Sequence, residues 1–150
     1  MSDKLNRRSF LEKGLLGAGA LTFAAAGVSR PKAASAQDLF SQVNTAQNPH
    51  QLTPLEKKHV PEIALPKKVE AGKPFHVKIT VNHVMQHRHF IQWIEIYDGE
   101  LFLARVDFTA VKTRAQATVT LVLEKSTTLN VFERCNLHGL WKNSVSVEVA

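Results

Sequence analysis

The run Cys135-Asn136-Leu137-His138-Gly139-Leu140-Trp141 contains the chain's single cysteine and, three residues on, a histidine. A thiolate and an imidazole at this spacing can share one metal ion if the chain turns between them, and Asn136 and Gly139 favour a turn. Such a pair suits zinc, copper or iron. Alone it is a weak signal. Cys135 reads equally well as a small buried apolar residue, and His138 as a hydrogen-bonded loop residue. A second run, His83-Val84-Met85-Gln86-His87-Arg88-His89, places three histidines within seven residues. Histidine is only intermediate in burial preference, so three together are hard to explain as core. In an extended chain His87 and His89 share a face, and spacing leaves His87 open as a rival to His83. A third run, Leu55-Glu56-Lys57-Lys58-His59-Val60-Pro61, puts two lysines before a histidine and by itself reads as solvated loop.

Strands must position these residues. Phe75, Val77, Ile79 and Val81 alternate with His76, Lys78, Thr80 and Asn82, a period of two. Residues 90–97 are β-branched and aromatic, Asp98-Gly99 signals a tight turn, and residues 101–108 form the second arm of a hairpin. Residues 115–123 alternate again, and 129–135 and 144–149 complete the set. No amphipathic helical stretch intervenes. The pattern predicts an all-β fold, an immunoglobulin-like antiparallel β-sandwich of about seven strands. Residues 37–54 are polar and read as an arm or linker ahead of a domain over 55–150.

Composition excludes several classes. The chain has 150 residues, 44% of them hydrophobic and 21% charged, which suits one packed domain with an extension. One cysteine forbids an internal disulfide and any four-cysteine site. The net charge is +6, but residues 1–36 carry six basic side chains against two acidic ones. The remainder is nearly balanced, so a nucleic-acid partner is not expected.

Residues 6–13, Asn-Arg-Arg-Ser-Phe-Leu-Glu-Lys, resemble a twin-arginine export signal. The Ala- and Gly-rich stretch 14–28 is short and weakly apolar for a membrane span. Ala34-Ser35-Ala36 offers small residues for cleavage after Ala36. The expectation is a periplasmic protein with no permanent membrane span once residues 1–36 are removed.

The three runs together resemble superoxide reductase, in particular its single-iron neelaredoxin type. The resemblance rests on Lys58-His59-Val60-Pro61, on His83 and His89 six apart, and on Cys-Asn-Leu-His-Gly-Leu-Trp, and it spans residues 55–150. It implies one iron ion per chain, with His59, His83, His89 and His138 in a plane and Cys135 axial. The sixth position would stay open, as a catalytic rather than structural site requires. It implies one-electron reduction of superoxide to hydrogen peroxide, with the iron re-reduced by an external donor, a small redox protein, and it suggests a homo-oligomer. Lys58 would point its charge at the open position, steering the anion and organising protons. Two positions depart from the family. Lys57 stands where a glutamate often caps ferric iron, leaving either Glu56 or solvent as the sixth ligand. Val84 stands where proline is frequent. Trp93 and Trp141 are expected in the core, and Asn136 is expected to aim its backbone N–H at the Cys135 sulfur.

Other readings fit parts of the pattern. A copper electron-transfer module needs two His, one Cys and an axial Met after the Cys–His segment, and no methionine follows His138. A non-catalytic carrier of sulfur compounds would use Cys135 as its attachment point. A structural zinc site takes four ligands rather than five.

Overall fold

A computed structural model describes residues 42–150, and the expected export signal lies outside the described residues. Among them are nine strands and one short helix: β1 Val43–Asn44, α1 Glu56–His59, β2 Glu62–Ala64, β3 Lys68–Val69, β4 Pro74–Thr80, β5 Ile91–Asp98, β6 Leu101–Asp107, β7 Gln116–Val122, β8 Thr127–Cys135 and β9 Gly139–Val149. Strands β1-β9-β8-β5-β6 form one sheet in that order, with β3 also on β9, and β2-β4-β7 form the other. The main pairings are antiparallel, and only the two-residue strands β1 and β3 join β9 in parallel. The expected antiparallel sandwich is the fold, and seven strands are three residues or longer.

Alternation explains the layers. On β4, Phe75, Val77 and Ile79 face inward while His76 and Lys78 face out. On β8, Leu129, Val131, Glu133 and Cys135 all face the core. On β5 the pattern skips a beat, because the register against β8 shifts between Ile91 and Trp93. This bulge lets both Ile91 and Ile94 point inward, and it sets Ile91 beside Cys135. Two turns require glycine. Gly99 (φ +59°) closes the β5–β6 hairpin and Gly139 (φ +81°) closes β8–β9, both left-handed conformations that L side chains rarely adopt.

The structure revises four local expectations. Strand β9 begins at Gly139, not at residue 144, because Leu140 to Asn143 pair with β8. Residues 56–59 form a helical turn rather than open loop. The polar arm is bound to the sandwich through β1. Trp93 is not core: it lies on the outer sheet face, half-buried, with the Arg105 guanidinium 4.8 Å from its ring centre.

The core holds an acid at position 133 that no sequence pattern signals. Glu133 is fully buried and neither carboxyl oxygen has a hydrogen-bond partner. Burial pushes its pKa up to about 9, so in the folded chain it stays protonated at neutral pH. An acid whose pKa is raised on folding contributes stability below its unfolded value, and that contribution declines as pH rises through the folded value. The metal-free protein should therefore lose stability steadily from about pH 4.5 to about pH 9 through this group. Glu133→Gln should flatten that slope in denaturant titrations at several pH values. An unchanged slope would show that Glu133 does not titrate across this window.

Candidate metal centre

Helical turn α1 carries His59. Lys57 N–H donates to the Thr53 carbonyl (3.0 Å), and Val60 N–H to the Glu56 carbonyl (2.8 Å). Thr53 and Glu56 form a capping box: Thr53 N–H donates to Glu56 Oε2 (2.7 Å) and Glu56 N–H to Thr53 Oγ1 (3.3 Å). The turn presents the Leu55 carbonyl to His59 Nδ1 at 2.9 Å. That contact places the proton on Nδ1 and leaves the Nε2 lone pair for a metal.

His83 and His89 flank a miniature hairpin. Gln86 and His89 exchange backbone hydrogen bonds of 2.9 and 3.1 Å, so His87 and Arg88 are its tip and both are exposed. This settles the placement of the two rivals: the side chain of His83 enters the cluster and that of His87 does not. His83 Nδ1 contacts the Val84 carbonyl, which frees its Nε2 in turn. The hairpin is braced from outside by Val111, whose N–H donates to the Met85 carbonyl at 2.7 Å. Val111 sits at φ +66°, a strained conformation for a β-branched residue. No sequence pattern signalled this brace.

Cys135 and His138 come from the β8–β9 hairpin, where Cys135 faces Gly139 across a three-residue loop. Asn136 joins this loop to the His89 segment. Its Oδ1 accepts the Phe90 N–H (2.9 Å) and its Nδ2 donates to the Arg88 carbonyl (2.9 Å). Its backbone N–H goes to the Phe90 carbonyl (3.2 Å), not toward the Cys135 sulfur as expected. Trp141 is buried as expected. Its ring stacks on His59 with centres 5.0 Å apart, and its indole N–H donates to the His138 carbonyl (3.1 Å).

The five side chains converge. One ligand atom from each of His59, His83, His89, Cys135 and His138 lies within 4.8 Å of all the others. His59 Nε2 is 3.1 Å from His138 Nδ1, which is 3.1 Å from His89 Nε2, which is 3.0 Å from His83 Nε2. A square of that edge has a half-diagonal of about 2.2 Å, close to the usual imidazole–metal bond. The Cys135 sulfur lies 3.5 Å from His138 Nδ1 and 3.7 Å from His83 Nε2, off the run of nitrogens. Inward lone pairs this close repel one another unless a cation lies between them, so the donor set fits a five-coordinate metal ion. Cys135 is fully buried while His138 is exposed, so the cluster meets solvent on its His138 side.

Burial, foremost, holds the pKa values of His59, His83 and His89 below the ordinary histidine range, His83 to about 4. Mutual repulsion, and Lys58 for His59 and His89, acts in the same direction. These rings are therefore neutral and ready to ligate at neutral pH. Lys58 is exposed, beside His59 on α1. Glu56 is elsewhere: one carboxyl oxygen accepts the Thr53 N–H and the other the Gln47 N–H (2.8 Å). Those two contacts, Gln47 first, hold its pKa below the usual carboxylate range. His50, His76 and His87 are exposed, and none joins the cluster.

A β-sandwich that gathers four imidazoles and one cysteine sulfur within ligand distance of one another defines a mononuclear metal-binding protein. The desulfoferrodoxin family model matches residues 51–144, and the chain belongs to that family. A protein of Methanocaldococcus jannaschii is 43% identical over 95 residues, covering 60% of this chain and 82% of its own. The superoxide reductase of Pyrococcus furiosus is 34% identical over 114 residues, covering 61% and 90%. The solved neelaredoxin of Ignicoccus hospitalis, a superoxide reductase, superposes with a TM-score of 0.66 at 32% identity, covering 77% of this chain and 99% of that one.

Proposed function

We propose that this chain is a superoxide reductase, an oxidoreductase using one iron ion held by His59, His83, His89, His138 and Cys135. The observation that carries the reading is the convergence of those five ligand atoms within 4.8 Å. Iron held there would supply the one-electron chemistry that converts superoxide and two protons to hydrogen peroxide, with an external redox donor restoring the electron. The protein does the rest. His59 and His83, kept neutral chiefly by burial, and the buried Cys135 sulfur would hold the ion. The exposed Lys58 ammonium attracts the anion to the solvent-facing side and supplies hydrogen-bond donors there. Glu56 plays no part in capping the ion while both its oxygens hold backbone N–H groups.

The rival readings lose support on the same geometry. A surface attachment point is not offered by a cysteine with no exposed area. Five converging donors exceed what structural zinc takes. Met85 packs against the core cluster, and no methionine follows His138 to serve as a copper module's axial ligand. Anaerobically purified, reconstituted protein should hold about one iron per chain, as one ligand set implies. A pulse of superoxide should then yield hydrogen peroxide without oxygen. Protein that stays iron-free after reconstitution, or that releases oxygen, would overturn the proposal.

Export by the twin-arginine route to the periplasm belongs to the same proposal and is supported by Arg7-Arg8-Ser9-Phe10-Leu11. Replacing both arginines by lysine should leave the protein in the cytoplasm, and the exported form should begin at Gln37. Unchanged export of that variant would refute this localisation. Assembly into a homo-oligomer is proposed on the family resemblance and is read directly by sedimentation.

A further inference from the structure

We infer that Glu56 is a positioning residue of the metal centre: its carboxylate latches the polar arm and thereby orients two adjacent ligands, His59 and His138. The inference rests on the metal-centre reading and adds a role for a residue that does not touch the ion.

Two lines of contact leave this one carboxylate. Through Oε2 it completes the capping box with Thr53, which shapes α1 and so presents the Leu55 carbonyl to His59 Nδ1. The orientation of His59 Nε2 follows from that contact. Through Oε1 it holds the Gln47 N–H and fixes the arm. Further along the arm, Asn44 Nδ2 lies 3.1 Å from the Leu140 carbonyl and 3.4 Å from the His138 carbonyl. Residues Val43 and Asn44 pair with Leu140 and Trp141 at the start of β9. The arm is thus a strap on the loop that carries His138. His59 Nε2 and His138 Nδ1 are 3.1 Å apart, so one latch governs both corners on that side.

The latch acts beside the β1–β9 pairing and the Asn44 contacts, at the end of the strap next to α1. A cavity of about 310 Å³ separates arm from site, lined by Asn44, Gln47, Thr53, Glu56, His138 and Trp141 among others. Most of these are polar, so hydrogen bonds rather than apolar packing place the arm. Glu56 is nonetheless buried, with 4% of its surface exposed. A glutamine there offers one acceptor where two backbone N–H groups need one each, and its NH₂ would oppose an N–H.

The test uses the full chain and cobalt(II) as the probe ion. Glu56→Gln and Thr53→Ala should each weaken cobalt affinity by about tenfold, the lower end for residues that orient ligands. Both should shift the cobalt absorption bands, and Thr53→Ser should restore affinity and spectrum. In the metal-free protein, Glu56→Gln should speed amide exchange at Gln47 and Thr53 and broaden the His59 Nδ1–H signal. Unchanged cobalt affinity and spectrum in both variants would overturn the inference. So would faster exchange at Gln47 and Thr53 on loading wild-type protein with ferric iron, because the carboxylate would then have left the latch. If Glu56→Gln does not fold, the Thr53 pair decides. Wild-type protein that binds no cobalt overturns the metal reading instead, and the metal-free amide exchange still decides whether the latch exists.

Discussion

Cys135→Ser is expected to abolish the sulfur-to-iron absorption and to lower the rate of superoxide reduction by about a hundredfold or more, beyond the loss typical of residues that merely orient ligands. A serine hydroxyl stays protonated at neutral pH, so the site loses its one anionic, polarisable donor. The electron density that a thiolate pushes onto the metal is lost with it. The position is fully buried, so an unpaired hydroxyl also costs about 1–3 kcal/mol of stability. Circular dichroism and iron content must therefore accompany the spectrum. A folded, iron-loaded variant with the wild-type absorption would show that the sulfur is not a ligand, and the proposed centre would fall.

Lys58→Ala is expected to slow the second-order reaction with superoxide by about tenfold at low ionic strength, the lower end of what focused charge achieves. The deficit should shrink as salt rises and the Debye length falls to about 10 Å at 0.1 M. The reason is local. Lys58 is exposed on the turn that carries His59, and its charge is felt at both His59 and His89. Among the described residues no carboxylate joins the cluster to cancel that charge. Pulse radiolysis across a salt series measures the effect. A rate and a salt slope equal to wild type would remove Lys58 from the mechanism.

Much of the sandwich was legible because one face of each strand is buried and the other is wet. The alternation of β4 is the clearest case, and the Asp98-Gly99 turn marked its hairpin correctly. What stayed hidden lacks a periodic signal. Strand β1 is two residues, Val43 and Asn44, too short to show a period, and its place depends on the start of β9. The opening of β9 looked like part of a metal-binding turn because its residues are ligand-flanking and not alternating. Glu133 occupies a core position that no local rule assigns to an acid.

The candidate centre was legible as residue types, and its closure was not. Cys135, His138, His83, His89 and His59 could be named from three runs, but two questions stayed open. Spacing could not choose between His83 and His87, because an extended chain treats His87 and His89 alike. The fold chose by putting His87 at the tip of a tight hairpin held by Gln86 and His89. Neither could spacing say whether Glu56 reached the ion. The capping box and the Gln47 contact engage both its oxygens elsewhere.

The sequence by itself determined the donor chemistry: one thiol, imidazoles in excess, a lysine before the first of them, and strands to carry them. Those follow from residue type and period, which are local properties. Only the tertiary structure decided which imidazoles meet, which nitrogen each presents, and that the sulfur is buried in the core while His138 is exposed. Residues 59, 83, 89, 135 and 138 lie on three separate stretches of chain, and their convergence depends on the pairing of whole strands.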